Sequence, residues 1–217
     1  MTKTRLIKPK GPGLMYRIRP GIDPTLPLVI MLHGWTGDEN AMWVFDKVLP
    51  RTWWIAAFRG LYPLSSGGFS WTPESSNADP GVSDYGSSVS ALQHTIVDID
   101  SQFKLGREPV VLMGFSQGAA LAFSVPSLAN WKPDAIVSLA GFMPGDAAFD
   151  GRGLPVFWGH GIRDEIVSID TARENVGHLR NVGAQVQYCE ADVGHKAGVE
   201  CARGLKPWLK HTLGVQS

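Results

Sequence analysis

The chain sets Gly114-Phe115-Ser116-Gln117-Gly118 between the apolar, β-branched run Glu108-Pro109-Val110-Val111-Leu112-Met113 and the helix-forming run Ala119-Ala120-Leu121-Ala122-Phe123. The first run reads as a buried parallel strand. Strand, G-x-S-x-G and helix in that order is the context of a nucleophile elbow. The glycines remove Cβ atoms where the chain turns sharply and neighbouring backbones come close. The serine hydroxyl then points out of the sheet. With 25 glycines in the chain the pattern could arise by chance, so the flanking strand and helix carry the inference.

The rest of the chain alternates in the same way. Strands are expected over Leu26–Leu32, Trp53–Phe58, Val110–Met113, Ala135–Leu139, Leu154–Trp158 and Ala184–Cys189. Helices are expected over Asn40–Leu49, Val89–Phe103, Gln117–Leu128, Ile169–Asn181 and from about His195 to Leu213. The apolar spacing of Val89, Leu92, Ile96, Val97 and Ile99 gives the second helix one buried face. Alternating elements imply an α/β fold, a mostly parallel sheet with helices on both faces. Gly11-Pro12-Gly13, between strand-like pieces in Arg5–Arg19, marks a hairpin at the sheet edge. Residues 60–86 break the pattern: they are rich in Ser, Gly, Pro and Asp and show no period. Loops of this length within a domain are usually functional, and Phe69, Trp71 and Tyr85 argue for one draped over a site.

Composition narrows the class. A chain of 217 residues suits a single domain, 1–217, and 44% hydrophobic against 18% charged residues is ordinary for a packed protein. Lys and Arg number 20, as do Asp and Glu, so no net field favours nucleic acid or an anionic membrane. The basic cluster Lys3, Arg5, Lys8, Lys10 reads as a solvated strand edge. No apolar signal core and no run of membrane-spanning length is expected. Cys189 and Cys201 are the only cysteines, so a disulfide framework is not expected and a cytoplasmic location is the default. Eight tryptophans suggest a broad apolar surface, which a homodimer could share.

A serine hydroxyl needs a base, usually a histidine oriented by a carboxylate. His195, in Ala191-Asp192-Val193-Gly194-His195, follows the last strand and lies after Ser116 in a glycine-containing loop. His33 and His160 precede glycines at strand ends, His94 and His178 lie within helices, and His211 is near the C-terminus. For the acid, Asp164 in Gly159-His160-Gly161-Ile162-Arg163-Asp164-Glu165 is preferred because aspartate is short enough to be held rigidly, and Glu165 is the alternative. Asp146 and Asp150 read as turn residues. An oxyanion hole requires backbone N–H groups aimed at the developing charge. Gln117, at a helix N-terminus, supplies one, and Trp35 in His33-Gly34-Trp35-Thr36-Gly37 is the candidate for the other.

Several blocks then occur in order: Leu32-His33-Gly34, Arg59-Gly60-Leu61-Tyr62-Pro63, Gly114-Phe115-Ser116-Gln117-Gly118, Leu139-Ala140-Gly141-Phe142-Met143-Pro144, His160-Gly161-Ile162-Arg163-Asp164 and Gly194-His195. In this the chain resembles the phospholipase/carboxylesterase family of α/β-hydrolases, which includes acyl-protein thioesterases. The resemblance implies Ser116 as nucleophile, Asp164 as acid, His195 as base, support of the oxyanion loop by His33, and no metal or organic cofactor. The chain departs from the family pattern at Ala119, where relatives carry a second glycine, at Ser168, where they carry proline, and around Trp71, where an aromatic-acidic pair is missing. The changes near Ser168 and Trp71 fall on the substrate side. The resemblance therefore extends to the catalytic residues and not to acyl or leaving-group preference.

The expected activity is hydrolysis of small to medium carboxylic esters, with Trp35, Phe69, Trp71 and Phe142 as an apolar wall around a small-molecule ester. Thioester or lysophospholipid hydrolysis uses the same acyl-enzyme and is the nearest alternative. A silent binding protein on this fold is the alternative of a different class, although Ser116, Asp164 and His195 are all retained. The histidines show no close-spaced ligand pattern for a metal, and no G-x-G-x-x-G follows the first strand.

Overall fold

The computed structural model describes residues 4–214 apart from 10, 77, 78, 107, 108 and 130. Lys3 and Lys10 of the basic cluster, and Glu108 ahead of the central strand, lie outside the described residues. The strands are β1 (Arg5–Ile7), β2 (Tyr16–Arg19), β3 (Leu28–Leu32), β4 (Trp54–Phe58), β5 (Tyr62–Pro63), β6 (Phe69–Ser70), β7 (Val110–Phe115), β8 (Ala135–Leu139), β9 (Pro155–Gly161) and β10 (Gln185–Ala191). The α-helices are α1 (Gly86–Phe103), α2 (Gln117–Leu128), α3 (Ile169–Asn181) and α4 (Val199–Thr212), and 3-10 helices cover Ala41–Val48 and Val82–Tyr85. The main sheet has eight strands in the order β1-β2-β4-β3-β7-β8-β9-β10. Pairing is antiparallel at β1–β2 and β2–β4 and parallel from β4 to β10.

Alternation along the strands divides the core between the faces of the sheet. Ile30, Leu112, Ile136, Val156 and Trp158 point toward α1, α2 and α3. Val29, Met31, Val111, Met113, Val137 and Phe157 point toward α4 and the 3-10 helix Ala41–Val48. The central strand β7 is almost wholly buried, which is why its sequence is continuously apolar rather than alternating.

Several expectations need correction. In α1 the buried positions include Thr95, whose hydroxyl donates to the Ala91 carbonyl and accepts from the Leu14 N–H. Val97 is exposed instead, because the helix packs through the stripe Val89, Leu92, Thr95 and Ile99. The last helix begins at Val199, leaving His195 in the preceding loop. Five tryptophans, Trp53, Trp54, Trp71, Trp158 and Trp208, are buried, and only Trp35 is largely exposed. Tryptophan content therefore reports mainly the core.

The cysteines are also corrected: Cys189 in β10 and Cys201 in α4 are joined as a disulfide, with Cα atoms 5.6 Å apart. Their separation of 12 residues encloses the loop that carries His195. Closing a loop of this size typically contributes about 3 kcal/mol by restricting the unfolded chain. Reduction should lower the urea-unfolding free energy by roughly that amount. An unchanged urea midpoint after reduction would show that the link adds nothing to stability.

Candidate active site

Ser116 lies between β7 and α2 with φ 51° and ψ −119°, a left-handed conformation that L-residues avoid. Such a turn persists only where its surroundings hold it. Here the Ser116 N–H donates to the Leu139 carbonyl at 3.0 Å and the Ala119 N–H donates to the Ser116 carbonyl at 2.9 Å. The glycines of the pentapeptide are required sterically. A Cβ on Gly114 would lie 2.3 Å from the Ala119 nitrogen, and one on Gly118 would lie 2.1 Å from the Leu32 carbonyl oxygen.

His195 and Asp164 are brought together from separate loops. His195 Nδ1 lies 2.8 Å from Asp164 Oδ2, and the imidazole packs against the Phe115 ring at 5.0 Å between centroids, beside Ser116. Because Asp164 is an acceptor, Nδ1 carries the proton and Nε2 is left as the free acceptor. A Cβ on Gly161 would meet the Gly194 carbonyl oxygen at 2.1 Å, so the loops that carry Asp164 and His195 touch through backbone. Asp164 Oδ1 accepts from the Ile166 and Val167 N–H groups, both at 2.9 Å. Burial pushes the Asp164 carboxyl up, but the Val167 N–H, His195 and the Ile166 N–H outweigh it and hold the group below its ordinary value.

A further neighbour of Asp164 was not singled out by sequence. His160 is fully buried, with Nε2 3.3 Å from Asp164 Oδ2 and 2.9 Å from the Val167 carbonyl. Its Nδ1 faces the Trp158 indole N–H at 3.4 Å. Indole is a donor only and the Val167 carbonyl an acceptor only, so the neutral Nε2–H tautomer fits both hydrogen bonds. His160 thus packs its ring edge against the carboxylate oxygen that holds His195, while its one N–H donates to Val167. In sequence it was one more histidine before a glycine.

The loop after β3 is fixed by a similar chain of contacts. His33 Nδ1–H donates to the Gly34 carbonyl at 2.7 Å, while Nε2 accepts from the Gly60 N–H at 2.8 Å. Burial pushes the His33 imidazole pKa down, in keeping with this neutral arrangement. Buried Glu39 receives both Nε and Nη2 of Arg59, at 2.6 and 2.8 Å, pinning the loop to the chain after β4. Trp35 follows Gly34, and among the described residues its N–H has no protein acceptor. Gln117 opens α2, so its N–H lies in the first turn, where no intrahelical acceptor exists. Its side chain donates to Ser70 Oγ at 3.0 Å and Thr72 Oγ1 at 3.2 Å, and accepts from the Trp71 N–H at 3.2 Å. These bonds tie the helix start to the 60–86 segment.

A recess of about 370 Å³ opens at Ser116, walled by Trp35, Gln117, Phe142, Pro73, Ile166 and Val167. Trp35 and Phe142 therefore lie where a substrate wall was expected. Trp71 does not: it is fully buried, its indole N–H donating to the His33 carbonyl at 2.7 Å. Phe69 lies outside the recess wall, its ring under the Arg59 guanidinium at 4.7 Å. Pro73, Ile166 and Val167 were missed because no local pattern distinguishes a pocket-lining apolar side chain from any other. Among the described residues no cluster of His, Cys, Asp and Glu could hold a metal ion.

Comparison with known proteins agrees with this architecture. The family model described as Phospholipase/Carboxylesterase matches residues 15–212. Acyl-protein thioesterase 1 of Saccharomyces cerevisiae is 30% identical over 179 residues, covering 70% of this chain and 77% of the relative. Acyl-protein thioesterase 1 homolog 1 of Dictyostelium discoideum is 26% identical over 206 residues, covering 85% and 90%. The crystal structure of the Bacillus cereus carboxylesterase superposes with a TM-score of 0.82 at 20% identity, covering 92% of this chain and 94% of that one. With a family match across nearly its whole length and an α/β-hydrolase topology, the chain belongs to the phospholipase/carboxylesterase family.

Proposed function

We propose that the protein is a serine carboxylesterase acting on small to medium carboxylic esters. The observation that carries this reading is Ser116 on its strained turn beside the His195–Asp164 pair at 2.8 Å. Ser116 Oγ attacks the ester carbonyl and its proton passes to His195 Nε2. Asp164 stabilises the imidazolium formed. The Trp35 and Gln117 N–H groups bind the oxyanion, aided by the positive end of α2. The alcohol leaves with the proton from His195, which then activates water to hydrolyse the acyl-enzyme. The recess of about 370 Å³ supports small or medium acyl or alcohol groups over long unfolded chains.

Hydrolysis of para-nitrophenyl esters graded from acetyl to long acyl chains tests the reading. A peak at short or medium chains is expected. A peak at long chains would favour the lysophospholipase alternative, and activity confined to thioesters would favour a thioesterase.

His160 is assigned a positioning role through Asp164. His160→Ala would leave the Trp158 N–H and the Val167 carbonyl with a lost partner each, and would remove the ring packed 3.3 Å from Asp164 Oδ2. A loss of about 1–3 kcal/mol is expected in transition-state stabilisation, or roughly 10- to 100-fold in kcat/KM. KM should change little, and His160→Gln, which keeps a donor, should recover part of kcat. Loss of folding alone, with full specific activity in the folded fraction, would contradict this role.

No described helix is long and apolar enough to cross a membrane. The cytoplasmic location read from the sequence is compatible with this proposal only with Cys189 and Cys201 reduced, because disulfides persist in oxidising compartments.

A further inference from the structure

A second recess, of about 440 Å³, lies on the other side of Trp35. Trp35, Met42, Val44, Phe45 and Phe115 give it an apolar wall, and Lys196 stands at its edge. Val44 is 73% exposed and Trp35 47% exposed, so the wall presents apolar surface to solvent. Lys196 is exposed and forms no ion pair among the described residues.

Apart from Trp35, which they share, the recesses draw their walls from elements on opposite faces of the sheet. The one at Ser116 is walled by Gln117 of α2, Pro73 of the 60–86 segment and Val167 ahead of α3, on the side of α1, α2 and α3. The second is walled by the 3-10 helix Ala41–Val48 and by residues just ahead of α4, on the other side. His195 immediately precedes Lys196 and rests on Phe115, two residues that wall the second recess.

Stereochemistry then distinguishes the two. In the tetrahedral intermediate the former carbonyl carbon carries Ser116 Oγ, the oxyanion, the acyl chain and the leaving oxygen. The oxyanion points at the Trp35 and Gln117 N–H groups. Collapse breaks the bond from carbon to the leaving oxygen, and that oxygen takes the proton His195 received from Ser116. The leaving oxygen must therefore face His195, and the acyl chain takes the remaining direction.

We infer that the recess between Trp35 and Lys196 is the leaving-group site, and that it takes an alcohol with an apolar body ending in an anionic group. The inference rests on the roles proposed for Ser116 and His195. The apolar wall would cover the body of the alcohol, and the unpaired Lys196 ammonium would meet a terminal carboxylate or similar anion. The recess at Ser116 is left for the acyl group.

The test compares hexyl acetate with the acetate ester of ω-hydroxyhexanoate, which have the same acyl group and apolar length and differ in the terminal charge. The wild type should favour the anionic ester in kcat/KM by roughly fivefold, the scale of one solvated ion pair. Lys196→Met should abolish that preference. Equal kcat/KM on the two esters in the wild type, or an anionic preference retained in Lys196→Met, would overturn the assignment. Undiminished hydrolysis of both esters by Ser116→Ala would instead remove the catalytic reading beneath it.

Discussion

Ser116→Ala is expected to lower kcat/KM for any ester the enzyme hydrolyses by on the order of 10^6-fold while leaving the fold intact. The size follows from how the site acts as a unit. Without Oγ, His195 has no nucleophile to activate, and only the oxyanion donors and binding contribute to the residual rate. The fold should survive because serine and alanine share the cost of φ 51°, and Ser116 is held there through its backbone N–H and carbonyl. Unfolding free energy should change by no more than about 0.5 kcal/mol. Substantial turnover by a folded Ser116→Ala protein would exclude Ser116 as nucleophile.

Gly118→Ala is expected to have the next largest effect, on stability as well as rate. The added methyl would lie 2.1 Å from the Leu32 carbonyl oxygen and 2.7 Å from that of His33. Both neighbours are backbone, so neither can rotate away, and α2 must lift from β3 instead. Overpacking of this kind typically costs about 3 kcal/mol. Lifting α2 also displaces the Gln117 N–H from the Trp35 loop and would open the proposed oxyanion hole. A drop in urea midpoint together with a fall in kcat of about 100-fold is the predicted pair of results. A stable, fully active Gly118→Ala protein would mean that helix and strand are less tightly apposed than described.

Much of this arrangement was legible in the sequence, for reasons that differ between elements. The bounds of α2, Gln117–Leu128, and of α3, Ile169–Asn181, coincide with the expectation; the glycine-flanked serine marked the start of the first, and in the structure the Ser168 side chain caps the start of the second. The inner parallel strands β3, β4, β7 and β8 were visible as apolar runs, since burial on both faces leaves no polar alternation to confuse them. His195 stood out by chain order. What was not legible depends on contacts between residues far apart in the chain. Trp71 is drawn into the core by the His33 carbonyl, 38 positions away. The Cys189–Cys201 pairing depends on where β10 and α4 come to lie, which the cysteine count does not reveal. His160 acquires its significance only when Asp164 folds back onto it. Val97 matched the helical period but fell at the edge of the buried stripe, and Thr95 could take an inner place because its hydroxyl finds partners in the Ala91 carbonyl and the Leu14 N–H.

The polar framework behind the site follows a common rule. Each buried group that shapes the loops of the candidate site has its partners within the protein: His33 between Gly34 and Gly60, Glu39 with Arg59, Gln117 with Ser70 and Thr72, and Asp164 with three donors. By contrast, the Trp35 N–H is left without a protein acceptor among the described residues, at the place where an oxyanion would need a donor. Satisfied supports around an unsatisfied donor are what a preorganised oxyanion hole requires.

The most direct measurement is covalent labelling of the purified protein with a fluorophosphonate, followed by intact-mass analysis and peptide mapping. The proposed mechanism predicts one adduct per chain, located on Ser116, with loss of esterase activity in step with labelling. Labelling of a different residue, or full activity after complete modification of Ser116, would contradict it.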